Sequence, residues 1–229
     1  MPGYGQFCPV AKAMEVLDER WTMLVVRELL SGSSHFNELR RGVPKMSPAL
    51  LSKRLRSLTR VGIVERDDSE NRVSYRLTQR GEELGEVVEA LGAWGIRWIG
   101  DLGDADLDPH LLLWDMRRRM NLAAMPRGRT VVGIEFDDVA ADVSRWWLVA
   151  DEDVAICDDD PGFPVAVTLR TSLRTLTSLW RGDQSWDQAL RTGSVTLLGP
   201  TDVRRQLPSW LGCSAFAPVP RPVGTVHQT

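Results

Sequence analysis

The chain has 229 residues, 43% of them hydrophobic and 26% charged, which is enough apolar material for a core and excludes a disordered chain. No apolar run approaches the ~20 residues of a membrane span, and the opening Met-Pro-Gly-Tyr-Gly-Gln-Phe-Cys-Pro lacks the basic start of a secretion signal, so a soluble, cytoplasmic protein without membrane partners is expected. The net charge of −3 conceals a contrast: residues 40–80 hold 11 Lys and Arg against 4 Asp and Glu, a local positive field of the kind a polyanion meets.

Taken in chain order, Val10–Leu17 and Trp21–Leu30 have helical apolar spacing, and Ser31-Gly32 supplies a left-handed stop. Phe36–Arg41 reads as a short helix closed by Gly42 and Pro44. A further helix begins at Ser47, a good N-cap, with Pro48 at the first helical position, where its missing N–H costs nothing. At 100° per residue, Leu51, Leu55 and Leu58 share one face, while Ala49, Lys53, Arg56 and Arg60 fall opposite. Gly62 ends it. Ile63–Arg66 and Arg72–Leu77 form a β-hairpin about the turn Asp67-Asp68-Ser69-Glu70-Asn71, and Thr78 is expected to cap one long helix. Helices, a basic-faced helix and then a hairpin make a winged helix-turn-helix, with the basic helix offered to the major groove.

The residues also match a known family. Cys8-Pro9-Val10, Arg20-Trp21, Arg27-Glu28-Leu29, Phe36-Asn37-Glu38-Leu39, Leu51-Ser52, Arg54-Leu55, Gly62-Ile63-Val64-Glu65-Arg66 and Tyr75-Arg76-Leu77-Thr78-Gln79-Arg80-Gly81 follow in one order. In this, residues 8–98 resemble the HxlR-type transcriptional regulators. The resemblance implies a dimeric winged-helix protein that binds palindromic operator DNA, usually as a repressor. One departure is the acidic wing tip, where relatives often carry a Pro-rich one.

The candidate DNA-binding set is Ser47, Ala49, Ser52, Lys53, Arg54, Arg56 and Arg60 on the helix, with Arg66 and Arg72 at the wing base. Arg suits bidentate base or phosphate contacts, and Lys suits phosphate neutralisation. Arg54 lies on the flank of the helix, where it can meet phosphate or pair within a dimer. Leu84, Val88, Leu91, Gly95 and Trp98 recur at intervals of 4, 3, 4 and 3, the spacing of a dimer seam, with Gly95 letting backbones approach; packing against the domain's own core is the competing reading.

Near Gly100 the chain turns Gly/Asp-rich, so the expected divisions are a winged-helix domain over 1–100, an α+β domain over 101–213 and a Pro-rich, extended tail over 214–229. Leu111–Met120 reads as a helix. Thr130–Phe136, Val143–Ala150, Val154–Cys157, Val165–Arg170 and Val195–Leu198 read as strands, and Ser172–Trp180, Ser185–Leu190 and Thr201–Trp210 as helices. The expected fold is an antiparallel sheet with helices on one side. Leu179-Trp180-Arg181-Gly182, Trp186-Asp187-Gln188-Ala189-Leu190 and Gly193-Ser194-Val195-Thr196-Leu197-Leu198-Gly199 are similar to the sterol-carrier-protein type of lipid-binding domain over residues 108–212, more weakly than the first half matches its family. That resemblance implies a pocket for an apolar small-molecule effector, for which Trp114, Trp147, Trp180 and Trp186 are candidate lining residues; core packing is the competing reading for each. Trp146 and Trp147 are adjacent on a strand and face opposite sides.

No catalytic, nucleotide or metal motif is present: His35, His110 and His227 are scattered, and no cofactor is implied. The three cysteines form no CxxC pair. Cys8 occupies the position that some relatives use as a thiol switch, and an oxidant response unchanged in Cys8→Ser would discard that role here. Two alternatives to an effector-controlled regulator therefore stand: a redox regulator acting through Cys8, and a carrier of apolar ligands whose winged helix only dimerises. The basic helix face speaks against the carrier.

Overall fold

The computed structural model describes residues 3–69, 72–99 and 102–222, and the chain divides into two compact units, Met1–Gly92 and Ala93–Thr229. The first contains α1 (Pro9–Leu17), α2 (Thr22–Leu30), α3 (Phe36–Gly42), α4 (Pro48–Arg60), the hairpin β1 (Val64–Asp67) and β2 (Ser74–Leu77), the one-turn α5 (Gln79–Glu82) and the start of α6 (Leu84–Trp98). It closes within α6, ahead of the Gly/Asp-rich stretch where the sequence suggests a boundary; Gly100 and Asp101 lie outside the described residues.

Local chemistry sets these elements. The Ser47 hydroxyl accepts the Leu50 amide (3.3 Å) at the head of α4, and Gly62, at φ +72°, ends it. Leu51, Leu55 and Leu58 are buried with Val25, Val26, Leu29, Leu39, Ile63 and Val64. Each buried leucine contributes about 1.5–3 kcal/mol against ~1 kcal/mol for the cap, so the core decides which face of α4 turns outward.

In the hairpin, Val64 pairs with Leu77 and Asp67 with Ser74. The Tyr75 amide also donates to the Ser34 carbonyl (2.7 Å), fastening the wing to the turn before α3. Thr78 does not cap one long helix. It caps only α5, accepting the Gly81 amide, while its own hydroxyl donates to the Gly62 carbonyl (2.7 Å). A Cβ on Gly81 would lie 2.3 Å from the Ile63 carbonyl oxygen, so α5 packs this close to the wing base only with glycine there; the helix is interrupted at Glu83 and resumes as α6.

The second unit holds α7 (Pro109–Arg117), β3 (Thr130–Phe136), β4 (Arg145–Ala150), β5 (Val154–Cys157), β6 (Val167–Thr171), α8 (Leu173–Arg181), α9 (Trp186–Thr192), β7 (Val195–Leu198) and α10 (Thr201–Leu211). The sheet order is β5-β4-β3-β6-β7, and β3 runs parallel to β6. The expected antiparallel sheet is therefore corrected to a mixed one. The meander β3-β4-β5 is antiparallel, but residues 158–166 then carry the chain back across the sheet to enter β6 in the direction of β3. Nine extended residues reach about 30 Å, enough for that return.

One face of the sheet presents Val132, Ile134, Phe136, Leu148 and Leu169 to a core shared with Leu113, Met116, Leu176, Leu207 and Trp210 from the helices. The start of the tail is not free. The Ser214 amide donates to the Trp180 carbonyl (2.8 Å), and Arg221 grips the Arg181 carbonyl (2.6 Å) and Asp183 (2.7 Å). Residues 223–229 lie outside the described residues.

Candidate nucleic-acid interface

Lys53, Arg56 and Arg60 project from the exposed face of α4 with Ala49, and no hydrogen bond or ion pair among the described residues holds the three cations. Ser47 and Ser52 stand at the N-terminal half of the same helix, which is the half that meets base edges in a groove-docked recognition helix. Unpaired cations in a row cost nothing to desolvate from protein partners and are ready to displace counterions from phosphate.

Arg54 departs from the expected set. It is 6% exposed, turned under the helix, ion-paired with Glu19 and donating from Nη2 to the Arg20 carbonyl (3.2 Å). At 100° per residue it lies with Leu51, Leu55 and Leu58, not with Lys53 and Arg56, and burial lowers its guanidinium pKa. It has no access to DNA in this arrangement. At the wing, Arg66 donates to Asp68 (2.5 Å), while Asp67 accepts both the Ser69 amide (2.9 Å) and hydroxyl (2.6 Å), so the acidic tip is tied to itself. Hydrogen bonding and charge from Asp68 raise the Arg66 pKa, and the hydroxyl and amide of Ser69 lower that of Asp67. Arg72 is exposed beside the wing; Glu70 and Asn71 lie outside the described residues.

Three positioning features were given no role by the sequence, although Arg27, Glu28 and Glu38 lie in stretches that match the family. The His35 ring donates from Nδ1 to the Val73 carbonyl (3.0 Å), joining the head of α3 to the wing. Glu38 accepts the Ser34 (2.9 Å) and His35 (3.0 Å) amides; burial pushes its carboxyl up, but those donors with the charges of His35 and Arg72 outweigh it and hold the pKa below the ordinary value. Buried Glu28 accepts from Arg27 (2.9 Å), whose Nη2 also reaches the Gly42 carbonyl (2.9 Å). A glutamate inside the apolar run Leu24–Leu30, within the matched stretch Arg27-Glu28-Leu29, is a signal that could have pointed to this last network.

The residues expected to form a seam on α6 divide between two faces of the helix. Leu84 and Val88 are half-buried against the core of the first unit, because the helix must seal that core before it can offer a face elsewhere. The exposed apolar stripe is Val87 (43%), Leu91 (52%), Trp94 (57%) and Trp98 (43%), again at intervals of 4, 3 and 4. Leu91 and Trp98 keep their place in it, and Gly95 lies beside it with nothing within 4 Å of a built Cβ.

In the second unit the four candidate tryptophans do not gather round one cavity. Trp180 is buried in the core and donates from Nε1 to Asp115 (2.9 Å). Trp114 is buried, with the His110 ring stacked at 6.4 Å and the Arg117 guanidinium 3.8 Å from its ring centre. Trp186 packs on the core edge, and Trp147 stands on the opposite sheet face in register with Gly133. A cleft of about 290 Å³ between Leu122–Ala124 and the start of β3 is lined by none of them. Cys8, Cys157 and Cys213 are free thiols; Cys8 is half-buried at the N-cap of α1, and burial with the charge of Asp158 raises the Cys157 pKa. Among the described residues no group of His, Cys, Asp and Glu could hold a metal ion, and no helix is long and apolar enough to cross a membrane.

Comparison with known proteins matches residues 16–102 to the model of the HxlR-like helix-turn-helix family. An uncharacterised HTH-type transcriptional regulator of Bacillus subtilis, YvaP, is 36% identical over 98 residues that cover 91% of YvaP and 41% of this chain. The chain belongs to the HxlR-like helix-turn-helix family. It is thus a DNA-binding transcriptional regulator of HxlR type. YodB of B. subtilis, an HTH-type regulator, is 33% identical over 91 residues, 81% of its length and 38% of this chain. The solved structure of reduced YodB is 32% identical, covers 42% of this chain and 100% of its own, and superposes with a TM-score of 0.37.

Proposed function

We propose that this HxlR-type regulator is a homodimeric repressor that reads a palindromic operator, with α4 in the major groove of each half-site. Lys53, Arg56 and Arg60 neutralise or grip phosphate and base edges, Ser47, Ala49 and Ser52 lie closest to the bases, and Arg72 meets the flanking backbone. Arg66 contributes only where phosphate displaces Asp68. The row of exposed, unpaired cations on a capped helix carries this reading, since a helix serving only dimerisation has no use for it.

The apolar stripe Val87, Leu91, Trp94 and Trp98 supports a second copy of the chain as its cover. The second unit is the regulatory part of this reading. An apolar effector there rests on the sterol-carrier resemblance, and would act by binding one dimer geometry better than the other. Equal effector affinity for free and operator-bound protein would remove that part.

The test is fluorescence anisotropy with duplex DNA from upstream of the protein's own gene and with a scrambled duplex, across salt. For wild type, binding is selective and weakens steeply with salt. In the Lys53→Ala/Arg56→Ala variant, the slope of log affinity against log salt falls by about 3.6 for four lost phosphate contacts, two from each copy of the dimer, and affinity drops on both duplexes. Weak binding, equal on both duplexes for wild type, would overturn the proposal in favour of the carrier reading.

A further inference from the structure

α4 carries four basic side chains in eight residues, and the structure separates them into two kinds. Lys53, Arg56 and Arg60 face outward. Arg54 points inward and holds two acceptors on the junction between α1 and α2: the Glu19 carboxylate and the Arg20 carbonyl (3.2 Å). Its Nε is buried with no hydrogen-bond partner among the described residues.

As a stabilising device this is a poor one. Burying a guanidinium with one N–H unsatisfied costs desolvation that a single ion pair seldom recovers, and an apolar residue among Leu51, Leu55 and Leu58 would do as well or better. What a guanidinium supplies instead is direction. Apolar contacts hold α4 to the core but tolerate small slides and tilts, whereas a planar two-point grip admits one approach.

The gripped junction is itself tightly specified. Trp21 adopts φ +78°, the one positive φ outside glycine among the described residues, and a left-handed turn there costs roughly 1–2 kcal/mol. The turn immediately follows the carbonyl that Arg54 holds. It is secured by the Thr22 amide on the Glu19 carbonyl (3.0 Å), by the Trp21 indole packed on the core, and by the Arg20 guanidinium 5.3 Å from that indole's centre. α1 ends at Leu17, two residues before Glu19.

We infer that Arg54 is the positioning residue of the recognition helix: through Glu19 and the Arg20 carbonyl, the α1–α2 junction sets how α4 presents Lys53 and Arg56 to DNA, and so sets sequence selectivity without touching it. The role in selectivity rests on the DNA-binding reading above; the mechanical link does not.

The experiment uses the full chain as wild type, Arg54→Met, Arg54→Lys and the exchanged pair Glu19→Arg/Arg54→Glu. Duplexes are selected from a random pool by wild type, and affinities for the selected and scrambled duplexes are measured across salt, with thermal melting in parallel. Arg54→Met, which leaves the Glu19 carboxylate without its partner, melts below wild type, loses about tenfold in the ratio of selected to scrambled affinity, and keeps the wild-type salt slope because no phosphate contact is lost. The exchanged pair regains part of the ratio, while Arg54→Lys, a point donor without the fork, regains less. A salt slope lower by about 1.8, one contact from each copy of the dimer, with an unchanged ratio would make Arg54 a phosphate contact and overturn the inference. So would a joint fall of melting temperature and affinity with the ratio intact, which is what a merely structural residue produces. Amide hydrogen exchange of the free protein supplies a readout independent of DNA: α4 amides exchange faster in Arg54→Met while those of α2 do not, and equal protection in the two proteins refutes the link. If wild type selects no duplex, the DNA reading fails and the exchange comparison alone judges the link.

Discussion

Replacing Leu91 by alanine separates the two candidate seams on α6. The change removes three carbons, which at ~0.8 kcal/mol per buried methylene is ~2.4 kcal/mol for a fully buried side chain. In the single chain Leu91 is 52% exposed, so about half of that, ~1.2 kcal/mol, is available for a partner to cover. A two-fold interface uses the residue twice, giving ~2.4 kcal/mol and a dimer Kd raised roughly 60-fold. Val88, packed on its own core, behaves differently: Val88→Ala lowers the urea midpoint and leaves the dimer Kd nearly unchanged. Sedimentation velocity over a dilution series reads the first quantity and urea unfolding at fixed concentration the second. Should Leu91→Ala leave Kd within about threefold of wild type while Val88→Ala raises it, the seam runs through Leu84 and Val88 and the exposed stripe is not the dimer face.

Two further outcomes follow from the supports of the recognition helix. A Cβ on Gly42 would lie 1.8 Å from the Glu28 carboxyl carbon, and that carboxylate cannot withdraw without losing Arg27, so Gly42→Ala costs about 3–5 kcal/mol by urea unfolding; Gly95→Ala, with open space around it, gains ~1 kcal/mol in the monomer, and similar effects at the two sites would refute the crowding argument. Glu38 has a folded pKa below its ordinary 4.5, so its contribution is complete above that value and fades as pH falls through the lower folded one; Glu38→Gln therefore loses less stability than wild type on acidification below pH 4.5, and parallel pH profiles would show that the Ser34 and His35 amides do not favour the charged form.

Most of the first unit was legible because its signals are local. Ser47-Pro48 and Gly62 bracket α4, and a leucine every third or fourth residue names its buried face. The same arithmetic could have placed Arg54, since it lies three residues after Leu51 and four before Leu58 on the inward side. Phase set Arg54 on the flank of the helix, but its charge kept it among the candidate DNA contacts, although packing, not composition, decides whether an arginine meets water or a carboxylate. Residues 158–166 show the opposite limit. Their strands were placed within two residues, yet the parallel pairing of β3 with β6 depends on where a turn-rich return segment crosses the sheet, which no local pattern encodes.

The seam residues and the tryptophans share one physical theme. A 4-3-4 apolar interval on an amphipathic helix describes two adjacent stripes when the helix is apolar over more than a third of its circumference, and α6 has both Leu84, Val88 and Val87, Leu91, Trp94, Trp98. Which stripe is internal is settled by the fold that precedes it: the core of Val25, Leu55 and Ile63 needs a lid, and after the break at Glu83 α6 starts with Leu84 and Val88 toward it. The outer stripe is then surplus to the unit's own packing. Trp114 and Trp180 invert that situation. Their indoles are consumed internally by Arg117, His110 and Asp115, so area that might grip a ligand is already spent on the core. Apolar area on this chain is left for a partner to cover where the nearest core is already complete, as on the outer face of α6 and not at those two tryptophans.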